Sequence, residues 1–160
     1  MKKIVMMAGV AVAMMSMASC CGEKSCDKGS CAASGGCDKV YTGVIPAADV
    51  LGIRYTLGLD YDDNGQKGDY TLVETYIDGD SASTLGYKDV ASFASEGDFT
   101  VGQKDGKTFL RLTKDAKDSS AQAADVLYFL VSSDSTVTLS NDALDNFSTP
   151  GMNYTLKLAK

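Results

Sequence analysis

The sequence predicts an all-β domain, a small antiparallel up-and-down barrel, with a two-sheet sandwich as the alternative. From Val40 onward, apolar and polar residues alternate with period two, and turn residues interrupt the alternation every eight to twelve positions. No window of eleven or more residues has helical periodicity. Closure into a barrel is favoured over a sandwich because it leaves no strand edge exposed.

The expected strands follow one another along the chain with short connections. The first begins at Val40 and ends near Pro46, because proline cannot donate a ladder hydrogen bond. The second covers residues 53–61, and Asn64-Gly65, the strongest short hairpin signal, follows it. A nearly continuous apolar run at 125–131 is typical of a strand that is buried on both faces. The later strands are expected at residues 70–77, 96–102, 107–113, 125–132, 136–140 and 153–159.

Residues 1–19 have the organisation of a signal peptide. Lys2 and Lys3 form a positive n-region, and the uncharged apolar stretch at 4–15 is too short to span a bilayer of ~30 Å as a helix. Met17-Ala18-Ser19-Cys20 resembles the lipobox of bacterial lipoproteins, in which the chain is cut before the cysteine and the thiol receives a diacylglycerol. We therefore expect lipidation of Cys20, with Cys21 as the weaker alternative. The anchor would hold the protein on the outer membrane, on its periplasmic or its surface face.

Residues 20–39 are expected to form a flexible tether, since Gly, Ser, Ala and alternating charges dominate this segment. Its four cysteines after Cys20 are candidate metal ligands. Their spacing leaves three states open: two local disulfides, a Cu(I) or Zn site of four thiolates, or free or intermolecularly paired thiols. The Cys-x₂-Cys knuckle of many zinc sites does not occur. The four are Cys21, Cys26, Cys31 and Cys37, separated by four, four and five residues.

The composition narrows the chemistry of the domain at residues 40–160. The chain has no His and a formal net charge of −6, which excludes a Ser-His-Asp triad and an imidazole metal site and disfavours nucleic-acid binding. Asp60, Asp62 and Asn64 match the first half of a calcium loop, but the twelfth position is Thr71 instead of Glu. This pattern indicates a solvated hairpin turn. We predict no enzymatic activity and no cofactor beyond the metal considered for the tether.

The stretch from Gly43 to Ile53 is the most distinctive part of the domain. It resembles the signature of the NlpE N-terminal domain family of bacterial envelope lipoproteins, Gly-x-Leu-Pro-Cys-Ala-Asp-Cys-x-Gly-Ile, and the family is linked to copper tolerance and surface sensing. The resemblance extends over roughly residues 41–158. It implies a small barrel similar to bacterial lipocalins and a structural role for the matching residues. These are Gly43, Pro46, Ala48, Asp49, Gly52 and Ile53.

One departure from the family pattern limits what the resemblance implies about metals. The two cysteines of the pattern are Ala47 and Val50 here, and neither side chain can bind copper or take part in redox chemistry. Functions of the second domain of longer members are not carried over either. The resemblance still implies a non-enzymatic role in envelope stress sensing or copper homeostasis. The expected partners are the membrane, through the lipid, and an envelope sensor or sorting protein.

Two other functions are open on the sequence. The barrel would act as a carrier if it held a small apolar ligand, as lipocalins do, although its aromatic residues are more simply expected to fill the interior. The tether would buffer metals or thiols if its cysteines were accessible. The aromatic residues considered for the interior are Tyr55, Tyr70, Tyr76, Phe109, Tyr128 and Phe129.

Overall fold

The computed structural model describes residues 36–115, 126–147 and 149–159. Eight antiparallel strands pair in chain order and β8 pairs with β1, so the sheet is a closed up-and-down barrel, which confirms the predicted fold class. Within the described ranges no helix has the length and apolar character needed to cross a membrane. The strands are β1 (Lys39–Ile45), β2 (Gly52–Tyr61), β3 (Lys67–Gly79), β4 (Tyr87–Lys104), β5 (Lys107–Lys114), β6 (Val126–Ser133), β7 (Thr136–Ser140) and β8 (Thr155–Leu158).

Three short turns share one end of the barrel, which we call the hairpin end. They lie at residues 62–66, 105–106 and 134–135. Gly65 and Gly106 have φ values of +65° and +74°, a left-handed conformation that glycine adopts without a steric penalty. The predicted hairpin after the second strand is therefore confirmed.

The opposite end, which we call the loop end, carries the longer connections. The described ones lie at 46–51 and 80–86, together with the described part of 141–154. The connection between β5 and β6 is also at this end, and its residues 116–125 lie outside the described part of the chain.

Large apolar side chains from all eight strands fill the middle of the barrel. Leu57 lies opposite Leu72, and Phe99 lies opposite Leu112, and all four side chains are 0% exposed. Burying each such side chain contributes about 1.5–3 kcal/mol, so this cluster is what favours closure. The core comprises Tyr41, Ile45, Tyr55, Leu57, Leu59, Tyr70, Leu72, Phe99, Leu110, Leu112, Phe129, Val137 and Leu156.

β4 is much longer than the sequence predicts. It covers Tyr87–Lys104, whereas alternation indicated only residues 96–102. Its first half is exposed and pairs with β3 as far as Gly79 opposite Tyr87, with a register shift at Tyr76/Ile77. An ion pair between Arg54 of β2 and Asp89 also links this half of β4 to the strand on the other side of β3.

β6 is only partly buried on both faces, so the expectation for that strand was only partly correct. Phe129 points into the core and Leu130 on the outer side is also buried, but Val126, Leu127 and Tyr128 are half-exposed. A single-layered barrel has one inner face, and the outer face of a strand is buried only where a neighbouring segment covers it.

The packed domain begins inside the segment that was assigned to the tether. Cys37 is only 3% exposed, and the carboxylate of Asp38 accepts a hydrogen bond from the Tyr61 amide at 2.9 Å. β1 then begins at Lys39. The predicted lipidation site Cys20, the signal peptide and the candidate ligands Cys21, Cys26 and Cys31 lie outside the described residues.

Candidate functional site

The family-like stretch forms the second half of β1, the first loop of the loop end and the start of β2. A Cβ atom on Gly43 would lie 2.7 Å from the Thr155 carbonyl oxygen, and one on Gly52 would lie 2.7 Å from a methyl group of Val44. Both glycines therefore allow neighbouring strands to approach closely. Ile53 pairs with Ile45 across the two strands, and Pro46, Ala48 and Asp49 form the loop between them.

This loop offers no metal site among its own side chains. Ala47 and Val50 stand where the family pattern has cysteines, and the described residues contain no group of three or more His, Cys, Asp or Glu side chains that could hold a metal. Cys37 precedes β1 and so lies at the hairpin end, whereas the loop joins β1 and β2 at the loop end. The fold thus does not bring this candidate ligand to the family-like loop.

A cavity of about 230 Å³ lies at the loop end of the barrel interior. Glu74 of β3 and Lys114, the last residue of β5, supply its charged groups. Glu74 shares the inward face of β3 with the buried residues Tyr70 and Leu72, because all three are an even number of positions apart. The lining comprises Tyr70, Glu74, Ser95, Lys114, Val126 and Leu127.

Aromatic side chains surround Glu74 on the inner face of the sheet. Tyr55 lies directly opposite it on β2, and Phe93 lies directly opposite it on β4. Tyr76 is the next inward residue on β3, and its ring meets the Phe93 ring edge-on with centroids 5.6 Å apart. Aromatic residues therefore occupy three positions next to Glu74 on this face of the sheet.

Glu74 also interacts with the Tyr55 phenol. Burial raises the pKa of Tyr55, and the hydrogen bond to Glu74 and the charge of that carboxylate raise it further. The phenol consequently remains protonated at neutral pH.

The six aromatic residues considered for the interior divide into three groups. Tyr55, Tyr70 and Phe129 belong to the core, and Tyr70 also lines the cavity. Tyr76 is the next inward residue after Glu74 on β3. The prediction of an interior position is wrong for Phe109 and Tyr128. Both lie on the outer face of the barrel, with their ring centroids 6.1 Å apart. Since the inward residues of their strands are Leu110 and Phe129, their immediate neighbours must point outward. The Phe109 ring instead covers Gly102 of the adjacent strand.

Sequence reasoning missed four residues of this site: Glu74, Phe93, Ser95 and Lys114. A signal was present for Glu74, because it continues the inward period of Tyr70, Leu72 and Tyr76. A carboxylate in phase with apolar residues is unusual, since burying a charge is costly unless it has a partner.

A second, larger groove of about 470 Å³ lies at the hairpin end. The nearby turn has the expected geometry: the Asn64 amide donates to the Asp62 carboxylate at 3.2 Å, and the Gly65 amide donates to the Asp62 carbonyl at 2.9 Å. The calcium-loop resemblance is thus explained by a turn that Asp stabilises. The groove is lined by Asp62, Lys67, Gly68, Asp69, Asp98, Phe99 and Thr100.

Comparison with known proteins identifies a family for the barrel. The family model described as the NlpE N-terminal domain matches residues 41–144, which include all of β2 to β7 and most of β1. Neither a curated protein nor a solved structure matches the chain. The matched region is well over half of the sequence and contains most of the closed barrel, and β8 follows it. The chain therefore belongs to the NlpE N-terminal domain family, a family of bacterial envelope proteins.

Proposed function

We propose that this chain is a lipid-anchored, non-enzymatic envelope protein that senses envelope conditions through the loop end of its barrel. The observation that carries the proposal is the end of the barrel at which the described chain enters it, which is opposite to the loop end. The chain enters the barrel at the hairpin end, where Cys37 and Asp38 immediately precede β1. A lipid on Cys20 would therefore attach the barrel through its hairpin end, and the loop end is left for interactions.

Exposed apolar side chains at the loop end support this assignment. Leu51 and Leu85, in the first two loops, are 63% and 69% exposed, and Val90 and Phe93 of β4 are 51% and 58% exposed. Large apolar side chains that remain exposed in this number at one end of a protein are typical of a surface that contacts a partner or a ligand. We favour sensing over copper binding because Ala47 and Val50 of the family-like loop provide no copper ligand.

The cavity beside Glu74 favours a second candidate function, a carrier of a small ligand. Its volume of about 230 Å³ is below the 300–1,000 Å³ typical of sites for drug-sized ligands, so a bound molecule would be compact. Glu74 and Lys114 would suit a polar ligand better than the purely apolar one that the lipocalin resemblance suggests.

Lipid labelling combined with a reporter of envelope stress tests the first proposal. The full chain is expressed in a Gram-negative host that is fed an alkyne-tagged fatty acid, as wild type, Cys20→Ala and the matched control Cys21→Ser. We expect wild type and the control to be labelled and to give equal reporter output. Cys20→Ala should be unlabelled, with output that differs at least threefold. Labelled Cys20→Ala protein would contradict lipidation at Cys20, and equal output from all three chains would contradict the anchored-sensor proposal.

A further inference from the structure

The wall of the loop-end cavity carries two opposite charges. Glu74 of β3 supplies a carboxylate, and Lys114, the last residue of β5, supplies an ammonium group. Glu74 is half-buried and Lys114 is exposed, so a ligand from solution can reach both residues. Such a ligand displaces water from each charged group, and it offsets this loss best by bringing the opposite charge to each of them. The lining therefore favours a ligand with one positive and one negative group.

Small residues of β4 lie between the two charged side chains. β4 is the strand between β3 and β5, and Ser95 and Gly97 are in phase with the inward residue Phe99. Ser95 lines the cavity, and Gly97 lies opposite Lys114. A serine and a glycine occupy little of the interior, so they leave space between Glu74 and Lys114 for a ligand.

The strand register holds Glu74 and Lys114 apart. Glu74 lies opposite Phe93, and Lys114 lies opposite Gly97, so four residues of β4 separate the two levels. At about 3.3 Å per residue this is roughly 13 Å along the strand, and two strand spacings of about 4.8 Å add roughly 10 Å across the sheet. The two backbone positions are therefore about 16 Å apart. A ligand that contacts both side chains fits best when its own two charges are at opposite ends.

Both charged groups have capacity for a ligand beside their contacts within the protein. Glu74 has a hydrogen bond with Tyr55, and Lys114 also interacts within the protein. An ionised carboxylate has about four lone-pair sites, and an ammonium group has three donors. One internal contact at each group therefore leaves sites for a ligand of opposite charge.

The rest of the lining suits a short hydrocarbon chain between the two charges. Val126 and Leu127 of β6 contribute apolar surface, and burying methylene groups against such surface is favourable. The Ser95 hydroxyl can donate or accept a further hydrogen bond. The cavity volume of about 230 Å³ restricts the ligand to a compact molecule.

We propose that the loop-end cavity binds a compact zwitterion, an amino acid whose ammonium and carboxylate groups are at opposite ends of a short carbon chain. Glu74 binds the ammonium group, and Lys114 binds the carboxylate. This inference rests on the second candidate function, that of a ligand carrier.

Calorimetric titration of the full chain with matched probes tests the inference. The zwitterion is 5-aminopentanoate; hexanoate replaces its ammonium group by a methyl group, and 5-aminopentanamide replaces its carboxylate by a neutral amide. We expect the zwitterion to bind at least tenfold more tightly than either of these. Its isomer norvaline, which carries both charges at one end, should bind at least fivefold more weakly than 5-aminopentanoate.

Substitutions of the two charged residues should remove the preference in different ways. Glu74→Gln should weaken binding of 5-aminopentanoate at least tenfold and should not weaken binding of hexanoate. Lys114→Met should have the same effect on 5-aminopentanoate and should not weaken binding of the amide. Glu96→Gln is the matched control, because Glu96 follows Ser95 on β4 and so faces away from the cavity. It should bind every probe as wild type does.

Thermal unfolding of each variant separates a lost site from a lost fold. Equal affinity of the folded wild type for 5-aminopentanoate, hexanoate and the amide would keep the carrier function and overturn the zwitterion site. Norvaline binding as tightly as 5-aminopentanoate would overturn the requirement for separated charges. No binding of any probe would contradict both the site and the carrier function.

Discussion

At the scale of single residues, three tyrosine hydroxyl groups lie where the fold opposes their ionisation. Burial raises the pKa of Tyr41, Tyr55 and Tyr61 above the ordinary value of about 10. For Tyr61, burial and the nearby Tyr41 and Asp38 raise the pKa to about 12. A group whose pKa is higher in the folded than in the unfolded state stabilises the fold fully below its unfolded pKa. That contribution is lost as the pH rises through the folded pKa.

We therefore expect the free energy of unfolding to fall as the pH rises from about 10 to about 12. Below about pH 9.5 these tyrosines should not contribute to the change of that free energy with pH. Tyr61→Phe removes one of the groups and should reduce the slope above pH 10. Tyr154→Phe, in which the changed side chain is half-exposed, is the control and should keep the wild-type slope. Urea unfolding followed by circular dichroism measures the slope. A Tyr61→Phe curve that is identical to wild type above pH 10 would contradict this explanation.

At the scale of elements, the contact between β4 and β5 depends on the missing side chain at Gly97. A Cβ atom there would lie 2.1 Å from the Thr113 carbonyl oxygen and 2.9 Å from the Asp115 amide nitrogen. Both atoms belong to the backbone, so they cannot move aside without disturbing the pairing of Gly97 with Lys114. Because Lys114 lines the cavity, this pairing also positions one wall of the candidate site.

Gly97→Ala should lower the free energy of unfolding by about 1–3 kcal/mol, the usual range for overpacking. Gly79→Ala is the matched control, because nothing lies within 4 Å of a Cβ placed at that strand position, and it should change stability by less than about 0.5 kcal/mol. Urea unfolding at neutral pH measures both values. Equal stabilities of the two variants would show that the close approach at Gly97 is not needed.

Strict alternation of apolar and polar residues predicted the strands whose inner side chains form the core. It failed for the segment that is a strand only because it pairs with a neighbouring strand. β5 and β7 lie within one residue of their expected bounds. The first half of β4 was missed because Lys88, Asp89 and Ser92 are exposed and give no apolar period. Pairing with the end of β3 orders that half, and pairing partners cannot be read from a single strand.

The same limit applies to the candidate site. The inward phase of Glu74 is visible in the sequence, since it continues the period of Tyr70 and Leu72. Its neighbours Tyr55 and Phe93 are set by the register between β2, β3 and β4. Turns, bulges and the stagger of the closed barrel together determine that register, so the aromatic surroundings of Glu74 could not be predicted from local pattern.

At the scale of the whole molecule, the closed barrel separates two ends with different character. The hairpin end has short turns and receives the chain from the predicted tether, and the loop end carries the family-like stretch, the Glu74 cavity and the exposed apolar side chains. A closed sheet has no free edge along its sides, so the ends are the natural places for interactions. The proposed function therefore belongs to the loop end.

The most direct test of that claim compares charge substitutions at the two ends in the reporter host. Leu51→Asp/Leu85→Asp changes two exposed loop-end side chains, and Leu158→Asp, beside the Ser135 turn, is the hairpin-end control. Both variants are first shown to fold by thermal unfolding. We predict that the loop-end variant changes reporter output at least threefold and that the control keeps the wild-type output. Wild-type output from the folded loop-end variant, or an equal change in the control, would contradict the assignment of function to the loop end.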